Sequence, residues 1–428
     1  MTATAADERR AGRALRERVP RSAHEDWNPA PDRADPVETL RRARREWIAA
    51  LVPVRFERMR ASPLAFLRGA AAIMAADLAP TPRSGLTVQA IGDAHLLNFG
   101  GFASPDKRLL FDVDDFDETL PGPWEWDVKR LATSIELAAR ELGGNDTAAL
   151  AVSRGYRESI ASFAAMAALD LHRYEIEAGD AVRLVPRLAK DVAQWSRHTS
   201  RWELPRLTAA DAGTRRIVSN PPLTQPVSGA VAASLQRLPL TYARTLADDR
   251  RTLLSRYEVL DVARHTVGIG SCGTRCYVIL LADTVTGDPL FLQVKEAGRS
   301  ALEPSAGRSR LRHPGHRVVS GQRLAQPSSD PLLGWSTVAK TPVYVRQLRD
   351  MRGGVDLRRF KGNELTEFAA LCGTALARAH ARTGRPAAIA GYLGGGDRFD
   401  RAVARFAGAY ADQTERDHEA FVKATKSR

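Results

Sequence analysis

Apolar residues recur three and four positions apart over most of this chain and alternate only in a few short stretches. The clearest helical run is Asp127 to Leu142, where Val128, Leu131, Ala132, Ile135, Ala138, Ala139 and Leu142 share one face. A second, "NELTEFAALCGTALARAHARTG", puts Leu365, Phe368, Ala369, Cys372, Ala375, Leu376 and Ala379 on one side. Residues from about 36 to 80 predict two helices, with Ser62 as a cap and Pro63 in the first turn of the second. A terminal helix is expected from about 398, and 145 to 260 read as mainly helical and arginine-rich, a candidate substrate-specific insertion.

The strand signals cluster elsewhere. "CYVILLA" and "LFLQVKEA", on either side of the turn "DTVTGDP", predict a hairpin, and "TPVYVRQL" predicts a further strand. Earlier, "LTVQAIGDAHLLNFG", "GFASPDKR" and "LLFDVDDFDETL" read in turn as strand, polar loop, turn, strand and acidic loop. The expected fold is α+β in two lobes. It comprises a mobile N-terminal arm (1–35), a helical lobe with the polar and acidic loops and the insertion (36–260), a β-rich lobe (261–350), and C-terminal helices completing the helical lobe (351–428).

Length supports two lobes, because the 428 residues exceed the span at which a single core stops growing. No apolar run approaches the length of a membrane span, and the polar N-terminus does not read as a secretory signal, so a cytoplasmic protein is expected. Cys272, Cys276 and Cys372 are too few for a disulfide framework and lack a second pair for zinc. The net charge, 63 − 50 = +13, is spread as single and paired basic residues without an aromatic-interleaved patch or helix-turn-helix. No specific nucleic-acid partner is expected, and a phosphorylated ligand fits the balance.

The candidate chemistry begins at "IGDAHLLNFG". Asp93 and Asn98 lie 98 − 93 = 5 positions apart with His95 between them, and they supply a proton acceptor and an oxygen ligand for magnesium on one loop. Downstream, Asp112, Asp114, Asp115, Asp117 and Glu118 crowd "FDVDDFDE", where like charges call for a cation. The donors are oxygens, which favours magnesium over zinc. Gly268, Gly270 and Gly273, with Ser271 between them, form G-x-G-x-x-G followed by a strand, the context of a phosphate-covering hairpin rather than a dinucleotide fold. Lys295 ends the next apolar strand, where a kinase-like site places its phosphate-binding ammonium.

These residues carry a resemblance. "GDAHLLN" resembles the G-D-x-H-x-x-N catalytic loop of the aminoglycoside and choline kinase-like families, and "DDFDETLPGPWEWDVKRLA" resembles the segment that follows it. The resemblance implies ATP and magnesium as cofactors, Asp93 as catalytic base, Asn98 and Asp115 as metal ligands, and Asp127 as a structural support of the loop; Asp112, from the acidic crowding, is a further expected metal ligand. It also implies Lys295 and the Gly268–Gly273 segment at the phosphates, and a hinge around Gln347 at adenine. His95 is expected to brace the loop. The catalytic loop precedes the glycine loop, the reverse of the kinase order, so the resemblance implies a circular permutation. Ser320 stands where a helix glutamate would pair with Lys295, and Glu303 is a substitute only 303 − 295 = 8 positions away.

Through "PRSAHEDWNPAPDR", "SPLAFLRGAA", "GDAHLLNFGGFASP", "GSCGTRCYVILL", "YVRQLRDM" and "YADQTERDHEAF" the chain also resembles an uncharacterised bacterial family, number 2252 among the domains of unknown function. The expectation is a phosphotransferase acting on an unidentified hydroxyl acceptor. A nucleotide-binding pseudokinase and a nucleotidyl transferase remain as alternatives.

Overall fold

The computed structural model describes residues 4–426 apart from 145–146, 212–213, 267, 269–271 and 349–350. Its architecture mixes α and β. In chain order the strands are β1 (Thr87–Ala90), β2 (Phe99–Ala103), β3 (Leu109–Val113), β4 (Leu120–Pro123), β5 (Thr208–Asp211), β6 (Thr214–Ile217) and β7 (Thr224–Pro226). They continue as β8 (Tyr257–His265), β9 (Cys276–Asp283), β10 (Pro289–Glu296), β11 (Gly334–Val338), β12 (Thr341–Gln347) and β13 (Gly353–Gly354).

An antiparallel sheet in the order β11-β12-β10-β9-β8-β7 makes one lobe. At its centre β9 is apolar at nearly every position because both faces are covered. Tyr277, Ile279 and Leu281 pack with Leu235, Leu238 and Tyr242 of the helix Gly229–Tyr242. Val278 and Leu280 face the other way, toward Phe291, Leu348 and the helix Ser200–Leu207. Each such side chain withdrawn from water contributes about 1.5–3 kcal/mol. The segment expected as part of the helical lobe therefore divides. Residues from about 200 onward cover the sheet, and the expected boundary at 261 falls inside β8.

The second lobe is helical, built on Trp124–Leu142, Thr147–Phe163, Glu364–Thr383 and Arg398–Thr425. The second and third of these meet backbone to backbone. A Cβ on Gly373 would lie 2.3 Å from the Val152 carbonyl oxygen, and one on Gly155 would lie 2.4 Å from that of Ala370. Among the described residues no helix is long and apolar enough to cross a membrane.

The N-terminal arm departs from the expectation of mobility. The helix Ala5–Arg18 packs on Pro386–Leu393, and a Cβ on Gly12 would meet the Ala388 carbonyl oxygen at 1.9 Å. Arg16 donates to the carbonyls of Tyr392 (2.8 Å) and Gly391 (2.6 Å), and the buried His24 ring meets the Tyr392 hydroxyl at 2.7 Å. The arm's own composition hides this, because its partners lie more than 360 positions away.

Two short sheets carry the polar and acidic loops. β1 pairs with β4, and β2 pairs with both β3 and β13. The stretch read as a turn-rich connection thus begins within β2, whose glycines mask the strand signal. Gly100 and Gly101 are needed there: Cβ atoms would lie 2.2 Å from the Gly353 carbonyl oxygen and 2.1 Å from the Trp195 ring.

Candidate functional site

The loop between β1 and β2 is fixed from beneath by Asp127, in the first turn of Trp124–Leu142. Its carboxylate accepts the backbone N–H groups of Ile91 (2.6 Å) and Gly92 (2.9 Å), and one of its oxygens also meets His380 Nε2 at 3.1 Å. Ser134 Oγ, two turns along the same helix, accepts the N–H of Leu96 at 2.9 Å. Gly92 has a φ of +83°, and a Cβ there would lie 2.5 Å from the Glu118 carbonyl oxygen, so the loop and the acidic segment touch where only glycine fits.

That loop presents three of the sequence-selected side chains. Asp93 Oδ1 accepts from Arg130 Nε at 2.6 Å. Asn98 donates its amide to the Asp93 carbonyl at 2.9 Å, which turns its amide oxygen the other way. His95 is 3% exposed with its Nδ1 buried and without a hydrogen-bond partner. Burial, reinforced by the charges of Arg68 and Arg130 against that of Asp93, pushes its pKa down to about 3. It stays neutral and packs the loop.

Neutral burial of His95 has a measurable sign. A histidine whose folded pKa lies below its unfolded value binds fewer protons when folded, so stability is lost as pH falls through about 6.5, by about 1.4 kcal/mol per pH unit. Urea unfolding between pH 6 and 4 is therefore expected to fall less steeply for His95→Gln than for the parent. Parallel curves would show that this histidine is not held neutral.

The acidic segment meets the β lobe at Lys295. This lysine, 4% exposed, reaches Asp115 (3.2 and 3.4 Å) and Asp117 (2.6 Å), and Tyr344 donates its hydroxyl to Asp117 at 2.6 Å. Burial disfavours all three charges, but the two carboxylates hold the ammonium well above its usual pKa. For Asp115, burial is outweighed by Lys295 and Arg346 and the carboxyl is held low; for Asp117, burial and the charge of Asp115 push it up. Burial also raises Glu118 to about 7, even though it accepts the Ala301 N–H at 2.5 Å.

The structure thus places the acid partners of Lys295 on the segment after β3, not on the helix Pro314–Ala325 that carries Ser320. That helix contributes a cation instead. Arg317 donates to the carbonyls of Thr119 (2.6 Å), Asp117 (2.7 Å) and Gly298 (3.2 Å), holding the acidic segment by its backbone. Asp117 is the residue to which the sequence assigned no role. Its crowding with Asp115 was visible, but its approach to a lysine 178 positions away was not.

Asp93, His95, Asn98, Asp115, Gly268 and Lys295 line one cavity of about 280 Å³, together with Asp117 and Glu118. Gln293, Arg346 and Leu348 add the β10 and β12 side, and Arg55, Arg68, Gly69 and Ala71 the helical side. Asp112 is not part of it. Both of its oxygens accept from Arg378 at 2.6 Å in the core and one also accepts the Val113 N–H, which corrects its expected place among the metal ligands. Gln347 is also outside, its N–H donated to Asp330 at 2.5 Å, and its neighbours Arg346 and Leu348 line the cavity. Gly273 (φ +103°) lies against Trp47 and accepts the Ile48 N–H at 2.7 Å. Gly270 and Ser271 lie outside the described residues.

A family model described as "Uncharacterized protein conserved in bacteria (DUF2252)" matches residues 44–424. The chain belongs to that family. No curated protein and no solved structure matches it. The family's description carries no activity.

A divalent cation can be tested against the donors. Among the described residues no three His, Cys, Asp or Glu side chains converge as a metal cage. Magnesium does not require one, since it is usually bound by one or two carboxylates plus substrate phosphates. Asn98 and Asp115, both oxygen donors in the same cavity, fit that requirement. The cysteines are free and buried.

Proposed function

We propose that this protein is an ATP- and magnesium-dependent phosphotransferase with a circularly permuted, kinase-like build, acting on a hydroxyl acceptor. The observation that carries the reading is the convergence in one cavity of Asp93, Asn98, Asp115, Gly268 and Lys295, although Asp115 and Lys295 are 180 positions apart. The strand arrangement supports it. The glycine segment joins β8 to β9, and Lys295 lies on the next strand, β10, opposite Cys276 at the start of β9. A phosphate-covering loop followed by a phosphate-binding lysine has this layout.

In this reading Lys295 holds the nucleotide's phosphates, and Asn98 and Asp115 would hold a magnesium ion, which when bound would supply positive charge against that building on the transferred group. The acceptor oxygen bonds to the γ-phosphorus, the bond from that phosphorus to the β–γ bridging oxygen breaks, ADP leaves, and the hydroxyl proton passes to Asp93. Arg130, at 2.6 Å, orients that carboxylate.

A second reading, a nucleotide-binding protein without turnover, is favoured by one feature. Lys295 is clasped by Asp115 and Asp117, with no acid supplied by the helix Pro314–Ala325. The experiment is to incubate the protein with magnesium and ATP labelled at the α- or γ-phosphate, beside Asp93→Asn, Asp115→Asn and Lys295→Ala. γ-Label transfer lost in all three variants is the expected result. α-Label transfer indicates nucleotidylation, binding without transfer favours the second reading, and absence of magnesium-dependent ATP binding sinks the proposal.

A further inference from the structure

The helical wall of the cavity carries two arginines that this phosphotransfer scheme leaves unused. Arg68, at the end of the helix Pro63–Gly69, lines the cavity beside Gly69 and Ala71. Its Nε is buried without a hydrogen-bond partner, and its guanidinium makes no hydrogen bond or ion pair among the described residues. Arg55 lies on the same wall, fixed by donation to the carbonyls of Cys272 (2.8 Å) and Gly69 (3.0 Å) and by the Trp47 ring 4.2 Å away. Arg68 is part-buried, and a guanidinium partly withdrawn from water without a hydrogen-bonded counter-ion is stabilised by an anion that arrives to neutralise it.

Position separates Arg68 from the nucleotide's cation. Lys295 belongs to β10, with Arg346 on β12 beside it, whereas Arg68 lies on the helical wall close enough to Asp93 and His95 for its charge to act on both. An anion held by Arg68 would therefore sit next to the proposed base, on the acceptor's side. A guanidinium fork matches the paired oxygens of a phosphate or a carboxylate.

We infer, resting on the phosphotransferase reading, that the acceptor is an anionic hydroxyl compound whose phosphate or carboxylate is seated on Arg68. The hydroxyl to be phosphorylated then reaches Asp93 from the anchored end. Neutral sugars and amino alcohols are poor acceptors on this account, because they leave the part-buried Arg68 without a counter-ion.

The test uses the full chain saturated with magnesium and a non-hydrolysable ATP analogue, which fills the γ position. Inorganic phosphate and, separately, acetate are titrated calorimetrically into the parent, Arg68→Gln and Arg68→Lys, with thermal melts confirming that each is folded. One of the two anions is expected to bind the parent, at least tenfold more weakly to Arg68→Gln and less weakened in Arg68→Lys. Phosphate binding points to a phosphomonoester acceptor and acetate binding to a carboxylic acid. Equal binding to parent and Arg68→Gln overturns the inference, as does binding of neither anion. It also fails if the analogue displaces the anion or is itself weakened tenfold in Arg68→Gln, since the arginine then belongs to the nucleotide. If the analogue does not bind at all, the phosphotransferase reading fails. The same titration without nucleotide then decides separately whether Arg68 seats an anion.

Discussion

Lys295→Met is expected to lower γ-phosphoryl transfer by about 10²–10³-fold, the scale of losing one preorganised charge at a reacting group, and to weaken ATP binding at the same time. It is also expected to destabilise the protein without ligand. The ammonium is the cation that Asp115 and Asp117 share, at 3.2 and 2.6 Å, and removing one partner of a buried ion pair costs about 3–5 kcal/mol. The size of this loss should depend on pH. In the parent, burial and the charge of Asp115 already push Asp117 up, and without Lys295 the two carboxylates repel further. A carboxyl whose folded pKa is raised contributes stability below its unfolded value of 3.8, and that contribution is lost as pH rises through the folded value. Lys295→Met should therefore fall further behind the parent at pH 8 than at pH 5 in urea unfolding. A variant that keeps both its transfer rate and its stability at pH 8 would remove Lys295 from the site.

How much of this was legible in the sequence depends on how far each residue's decisive partner lies along the chain. The polar loop was readable because its parts are local: glycine at 92, acid at 93 and amide at 98 lie within one turn of backbone, and Asp127 follows closely enough to share its helix with Ser134. Lys295 was readable from its place after the glycine segment and one hairpin. The continuous apolar run in β9 announced burial on both faces, but nothing local said that residues 200–242 supply the cover. The N-terminal helix was misjudged for the same reason. Its contact glycine, Gly12, finds its partner carbonyl at Ala388. Within the acidic segment, composition showed five crowded carboxylates and could not rank them, because which face each one takes depends on cations beyond 290 and beyond 370.

Asp112 shows how such a ranking can be measured. A metal ligand and a buried ion-pair partner predict opposite results for a paired substitution. Asp112 is 2% exposed and Arg378 1%, and Arg378 donates to both Asp112 oxygens and to the Ala325 carbonyl at 2.7 Å. Asp112→Ala is therefore expected to destabilise by about 3–5 kcal/mol, since it leaves a guanidinium buried and uncompensated. Arg378→Leu should cost a similar amount by stranding the carboxylate. The double variant removes both charges and leaves chiefly the Ala325 carbonyl unpaired, a penalty of about 1–3 kcal/mol. Its loss should fall well short of the sum of the single losses, with a coupling of about 3 kcal/mol or more in the double-mutant cycle. If Asp112 were instead a magnesium ligand, Arg378→Leu would not rescue Asp112→Ala. The magnesium concentration needed for half-maximal ATP binding would then rise in Asp112→Asn, as the same measurement is expected to show for Asp115→Asn. Additive stability losses together with a raised magnesium requirement would return Asp112 to the metal site.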